Sequence, residues 1–342
     1  MFVGINLINR IYQLTSPRNI NVKYEDVDQN DGLIVRPKYI SICHADRRYY
    51  WGRRPHEILM KKLPMSLIHE CCGEVLKDYK SIYEPGTKVV LIPNIPPKNL
   101  KSDIFENYQK GAKFRSSGVD GFMQELVPIE HDRVVPFLFD EKYEYVFSIT
   151  ELLSVCVHAV NRFLSISHKY RERIAIFGDG SVGFLTSLVI SNMIPSSKIL
   201  VIGRHEEKLA CFSFAYETFT YIPNSLEFDH AFECTGGNGS IKAIDSIIEH
   251  INPQGSVILM GVSEEKVPIN TRNILEKGLT FVGASRSGFD DFKKAVSIIE
   301  KTDFNKKIRN IITMGEDINS IDDIHKAFEL IVPFKSVFKW NI

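Results

Sequence analysis

Up to about residue 150 the chain alternates short apolar runs with turn-forming residues. "GLIVRPKYISIC", "EPGTKVVLIP", "GFMQELVPI" and "RVVPF" read as brief strands, and their spacing predicts a β-rich, barrel-like domain over residues 1–150. Among them, "NIPPKNLKSDIFENYQKGAKFRSSG" is polar and rich in Pro and Lys, which predicts a surface loop. The pattern then changes. "RERIAIFGDGSVGFLTSLVI" is an apolar strand, a glycine loop and an apolar helical run, and "SKILVIGRHEEKL" supplies a second strand and helix start. Further strands follow in "FDHAFECTGG", "GSVILMGV" and "LTFVGASRSG", with "SIKAIDSIIEHI" as a helix between them, so residues 151–290 predict a doubly wound parallel sheet. Residues 291–342 revert to mixed short elements and end in "KSVFKWNI", a strand expected to return to the first domain.

Composition narrows the class. A chain of 342 residues, 44% hydrophobic and 25% charged, has enough apolar material for a large core and reads as a soluble globular protein. Basic and acidic residues balance at 42 each, so no overall field recruits nucleic acid or an anionic membrane. No apolar run approaches the roughly 20 residues that span a bilayer, and "MFVGINLINRIYQL" lacks a basic leader, so a cytoplasmic location is expected. Cysteines 43, 71, 72, 156, 211 and 234 form no regular framework, which favours thiols or metal ligands over disulfides.

The glycine loop Gly178-Asp179-Gly180-Ser181-Val182-Gly183 gains meaning from its context. It follows a strand directly and opens a helix, where glycines allow a tight turn and the helix N-terminus faces a pyrophosphate. The next strand ends in Gly203-Arg204-His205, without the acidic residue that usually holds an NAD ribose. Arg204, with Lys208 nearby, suits a 2′-phosphate, so NADP is the expected dinucleotide; the competing reading gives Glu206 the acidic role and NAD the site.

"LPMSLIHECCGEV" sets a histidine, a carboxylate and two cysteines in an apolar run. With Cys43 after "YISI" and Glu151 at the change of pattern, His69 and Glu70 complete a set of zinc ligand types. Spacing alone leaves this open: cysteine is often a small buried hydrophobe, and adjacent residues of a straight strand face opposite ways. Cys71 is an alternative ligand to Glu70; otherwise Cys71 and Cys72 pack as apolar residues.

The succession Cys43-His44-Ala45-Asp46, Ile68-His69-Glu70, "EPGTKV", Glu151 and the glycine loop resembles the zinc-dependent medium-chain dehydrogenase/reductase family over nearly the whole chain. "YISICHADRRYYWG", "LPMSLIHE", "FRSSGVDGFMQ", "FDHAFECTGG" and "RSG" further resemble the ribulose-5-phosphate reductases of that family. The resemblance implies an α/β protein with a β-rich GroES-like catalytic domain and a Rossmann NADP-binding domain. It also implies one catalytic Zn²⁺ held by Cys43, His69 and Glu151, with Glu70 as a fourth or exchanging ligand. A thiolate and two carboxylates would leave the zinc site one negative charge in excess, so release of Glu70 would sharpen its Lewis acidity.

Three departures from the family pattern matter. The loop from Pro93 to Gly118 lacks the four cysteines of the family's structural zinc, which leaves one metal per chain. Ala45 replaces the hydroxyl residue that usually relays a proton, with His44, Asp46 and Tyr49 as substitutes. Ile68 stands where a glycine is common.

The implied reaction is hydride transfer from NADPH to C2 of D-ribulose 5-phosphate, giving D-ribitol 5-phosphate for CDP-ribitol and teichoic acid or related polymers. Glu233 to Gly237 are expected beside the nicotinamide. Arg47, Arg48, Arg115 and Arg286 are candidates for the substrate phosphate. The family also suggests a homodimer, and the pathway a cytidylyltransferase partner. Competing functions are an NAD-dependent zinc polyol dehydrogenase and a nucleotide-binding module without catalysis.

Overall fold

In the computed structural model, which describes residues 7–27 and 32–342, one unit runs to Glu151 and resumes from Ser287 to Ile342, and the other is Leu152–Arg286. The first unit is built around the strand Leu33–Ile42, whose apolar ends are buried on both faces. Its sheet runs in the order Val134–Pro136, Lys88–Leu91, Glu70–Asp78, Leu33–Ile42, Lys335–Lys339 and Ile312–Met314, and Val127–Ile129 also pairs with the central strand. A second sheet joins Asn19–Asp26, Ile8–Ser16 and Met65–Ser66. Leu14, Leu33, Val35, Val89, Phe122 and Phe338 belong to the apolar core of this unit.

Register decides what this unit can do. Ser41 lies opposite Glu70, and Ser336 lies opposite Ile42, so three neighbouring strands bring Cys43, Glu70 and Lys335 to one end of the sheet. The expected strand in "GFMQELVPI" shortens to Val127–Ile129. Gly121, Phe122 and Met123 instead donate their N–H groups to the carbonyls of Ser66, Ile68 and Leu67, at 2.8, 2.8 and 3.2 Å. A Cβ on Gly121 would sit 2.3 Å from the Leu67 oxygen, so only glycine permits this approach.

The polar excursion is closed at its base by a short ribbon, Asn94–Ile95 against Lys113–Phe114, with a 3₁₀ turn at Glu106–Tyr108. The helical stretch Glu141–Ile166 is long and apolar enough, by length and composition, to cross a membrane. Yet 61% of its most apolar window is buried within the protein, the mark of a core helix.

The second unit has a six-stranded sheet, in the order Glu217–Phe219, Lys198–Ile202, Arg173–Phe177, His230–Glu233, Ser256–Leu259 and Thr280–Gly283, with every pairing parallel. Its order reverses direction between Arg173–Phe177 and His230–Glu233, the switch point where doubly wound sheets bind ligands. The central strands are buried on both sides because helices cover both faces of such a sheet. The expected fold class, a β-rich domain plus a doubly wound parallel sheet, is borne out.

Candidate metal and dinucleotide sites

Cys43 directly follows the central strand of the first unit, at the N-terminal boundary of the helix His44–Tyr50, whose first turn carries the buried Asp46. Across the sheet, Ile68 has φ +70°, a conformation a β-branched residue rarely adopts. Its fully buried side chain packs in the core, which offsets that strain, and the kink lets the adjacent His69 and Glu70 both serve one site. A ligand atom from each of Cys43, His69 and Glu70 lies within 4.8 Å of the other two. Glu151 is buried nearby but lies outside this three-residue group.

Asp46 organises the histidine. Its oxygens lie 3.1 and 3.2 Å from His69 Nδ1, and it also accepts from the Ile68 N–H at 3.2 Å and from the Ser116 hydroxyl. An Nδ1–H held in this way leaves Nε2 as the ligating nitrogen. Burial alone would lower the His69 pKa, but Asp46 and Cys43 reverse this and hold it well above the ordinary histidine range.

Glu70 is divided between two roles. Oε1 accepts from Lys335 Nζ at 2.6 Å, in a pair with 5% and 0% side-chain exposure, while Oε2 is buried without a partner. Burial first, then Glu70 and Asp46, push the Glu151 carboxyl up to about 7, against the opposing pull of His69 and Lys335. A divalent cation fits this donor set, and the orphaned Oε2 gives it a further oxygen. Lys335 also alters the charge arithmetic, because its ammonium cancels the excess negative charge that a thiolate and two carboxylates would leave around zinc.

Two of the four arginines expected at a phosphate are committed elsewhere. Arg47 donates to the Phe328 carbonyl at 3.0 Å and to Ser336 Oγ at 3.2 Å and is buried. Arg115 donates to the carbonyls of Asp120 and Pro128, at 3.2 and 3.1 Å. Arg48 is half-buried on the first helix, and Arg286 is half-buried with φ +57°. Of the substitute proton carriers, Asp46 is taken up by its hydrogen bonds, and Tyr49 is buried with Arg54 and Lys62 against its ring. His44 is exposed. Burial raises the thiol pKa values of Cys71 and Cys72, which pack as neutral side chains.

The glycine loop of the second unit fits a pyrophosphate. Gly178 has φ +131°, and a Cβ on Gly183 would sit 1.9 Å from the Gly178 oxygen, so both positions exclude side chains. A Cβ on Gly180 would meet nothing within 4 Å. That leaves open space over the start of the helix Ser181–Met193, whose first turn, with Ser181 and Val182, has no side-chain cap. Arg204 is exposed and Lys208 half-buried. Glu233, expected beside the nicotinamide, accepts from the N–H groups of Thr235, Gly236 and Gly261 and from the Ser240 hydroxyl, so it shapes the loop.

Two residues were missed by the sequence reading. Asp179 Oδ2 accepts from the N–H groups of Arg204 and His205 at 2.6 and 2.9 Å and from His205 Nδ1 at 2.9 Å, fixing the turn that carries Arg204. Its place inside the glycine loop was the available signal. Lys335 gave none, because 265 positions separate it from Glu70.

Two family profiles match the chain: an alcohol dehydrogenase GroES-like domain over residues 29–138 and a zinc-binding dehydrogenase over residues 216–301. The chain is 49% identical to the ribulose-5-phosphate reductase of Streptococcus pneumoniae over 342 residues, 98% of each chain. It is 46% identical to ribulose-5-phosphate reductase 2 of Staphylococcus aureus, covering 98% of this chain and 100% of that one. Among solved structures, S. aureus TarJ in complex with NADPH superposes with a TM-score of 0.85 and 42% identity, covering 98% of this chain and 100% of that one.

Proposed function

Because the chain belongs to the ribulose-5-phosphate reductases of the zinc-binding dehydrogenase family, we propose the following division of labour among its residues. The protein is an oxidoreductase that uses zinc and NADP(H) and converts D-ribulose 5-phosphate to D-ribitol 5-phosphate. The observation that carries this is 49% identity over 98% of both chains, in a protein that keeps Cys43, His69 and Glu70 together.

Cys43, His69 and Glu151 would hold the metal, and Glu70 Oε2, unpartnered while Lys335 donates to Oε1, would be available as a further ligand. When bound, zinc polarises the C2 carbonyl and the dinucleotide supplies the hydride. Asp46 keeps the His69 ring oriented with Nε2 toward the metal. His44 passes the proton in place of the hydroxyl that Ala45 lacks. Gly178, Gly180, Ser181, Val182 and Gly183 receive the pyrophosphate, and Arg204 and Lys208 receive the 2′-phosphate. Arg48 and Arg286, with the guanidinium chemistry that suits a dianion, contact the substrate phosphate.

The enzyme works in the cytoplasm as a homodimer, feeding a cytidylyltransferase on the way to a ribitol-phosphate polymer such as teichoic acid. The test is NADPH absorbance with ribulose 5-phosphate, with NADH and unphosphorylated ribulose alongside, before and after chelation. Chelator-sensitive oxidation that requires both NADPH and the phosphorylated ketose supports the reading. A zinc-replete sample without turnover defeats it.

A further inference from the structure

The first unit holds a cavity of about 400 Å³ whose lining includes Arg18, Arg47, Arg53, Glu329, Trp51 and Phe334. Three of these are cations, and among the described residues lining it only Glu329 is acidic. That carboxylate is already shared: one oxygen lies 3.2 Å from Arg18 Nη2 and accepts from the Trp51 indole N–H at 3.3 Å. Arg53 is exposed, and its guanidinium lies over the Trp51 ring, 4.5 Å from the centroid. Arg47 is only 7% exposed, and its guanidinium donates to a carbonyl and a hydroxyl, neither of which carries a countercharge. A guanidinium has five N–H donors, and a buried one without a bonded countercharge keeps its desolvation cost. The cavity thus presents more positive charge than its own lining neutralises.

Strand register separates this cavity from the metal. Ser336, whose hydroxyl accepts from Arg47, lies opposite Ile42, so the two share a face of the sheet, and both line the cavity. Successive side chains of a strand alternate, so Lys335 projects to the other face, where it meets Glu70. The cavity therefore lies behind the metal cluster. His44, which carries the proton in the proposed reaction, lines it too, so the two regions adjoin.

We propose that this cavity is a second anion site, which binds a phosphate ester with its phosphoryl group on the arginines and its carbon portion against Trp51 and Phe334. Arginine forks match phosphoryl oxygens in both geometry and charge. A bare oxyanion would leave the apolar wall idle, and a neutral apolar molecule would leave the guanidiniums unanswered. The phosphoryl group has two possible sources, the substrate itself or a second phosphorylated compound, and the position behind the metal selects the second. This site goes beyond the reductase reading and does not depend on it.

The probe is phenyl phosphate, which offers both a ring and a phosphoryl dianion, with inorganic phosphate and phenol as controls. Binding to the zinc-loaded enzyme is followed by calorimetry and by tryptophan fluorescence, to which Trp51 contributes as one of only two tryptophans. The expected result is saturable binding of phenyl phosphate with a change in fluorescence, tighter than that of inorganic phosphate and absent for phenol. Arg53→Gln should weaken it on the order of tenfold, the loss of one charge-assisted hydrogen bond, and adding Arg18→Gln should weaken it further. Both arginines are exposed, so the melting temperature should stay near that of wild type. Arg48→Gln should leave phenyl phosphate binding intact, and Arg53→Gln should leave KM for ribulose 5-phosphate unchanged. The absence of saturable binding overturns the proposal, as does phenol binding as tightly as its phosphate ester. So does binding that is lost in Arg48→Gln but kept in Arg53→Gln, or a raised KM for ribulose 5-phosphate in Arg53→Gln, since the phosphoryl group would then be the substrate's own. Because binding is measured without turnover, failure of the reductase reading leaves this test intact.

Discussion

Two carboxylates in the first unit are each held by a cation, the buried Glu70 at the metal cluster and the partly exposed Glu106 in the turn of the 94–118 loop, but they are satisfied to different degrees. Glu106 accepts from Arg133 Nη1 at 2.9 Å and from the Phe289 N–H at 2.9 Å through one oxygen, and from Arg133 Nη2 at 3.3 Å through the other. Of that pair only Arg133 Nε lacks a partner. Glu70 gives one oxygen to Lys335 and keeps the other idle in the interior. The planar guanidinium can occupy both oxygens of a carboxylate, and the compact ammonium cannot. Where the chain needs a fixed strut in a loop without metal-binding cysteines it uses arginine, and where it needs a carboxylate with a free valence it uses lysine.

The comparison is broken most severely on the metal side. His69→Ala should strip zinc from the purified protein and lower kcat/KM by about a thousandfold or more, since several kcal/mol of charge stabilisation are lost. Metal analysis beside steady-state kinetics checks it, and a zinc-replete variant with ordinary activity would refute the ligand assignment. On the other side, Arg133→Leu leaves Glu106 without its cation, with only the Phe289 N–H remaining, and should cost about 3 kcal/mol of stability in denaturant titrations. Zinc content and kcat of the folded fraction should hold, because the strut is structural.

Lys335→Met sharpens the contrast by freeing Glu70 for the metal. Zinc should then leave more slowly in a chelator competition, by roughly tenfold, while kcat falls. Faster loss of zinc would instead make Lys335 a support for the ligand set. The smallest effect concerns Asp78, another saturated carboxylate, which accepts from the N–H groups of Lys80, Ile82 and Tyr83 and lies 2.8 Å from His131 Nε2. Burial would raise its pKa, but these bonds bring it down to about 2. Since the folded value lies below the unfolded one, its contribution is complete above about pH 4 and disappears as the pH falls toward 2. Asp78→Asn should therefore lower stability near neutral pH and flatten its decline over that interval, as acid titrations followed by circular dichroism would measure.

The sequence carried whatever is local. Strand, glycine turn and helix are adjacent at residues 173–193, so the dinucleotide half was legible from periodicity alone. Cys43, His69 and Glu70 could be named because family-like motifs surround them, although their convergence depends on the kink at Ile68, which an isoleucine does not advertise. That Arg47 and Arg115 already donate to main-chain carbonyls could not be read, because charge does not reveal what a guanidinium is bonded to. The pairing of Lys335 with Glu70 depends on the register of strands far apart in sequence, and no local pattern encodes that.

That last strand has a consequence for biosynthesis. The second unit is one continuous segment, whereas the first is interrupted by it and is not complete until residues 287–342 have been made. During translation Cys43, His69, Glu70 and Glu151 all emerge before the chain has a Lys335 to pair with, so a nascent chain presents Glu70 with both oxygens free.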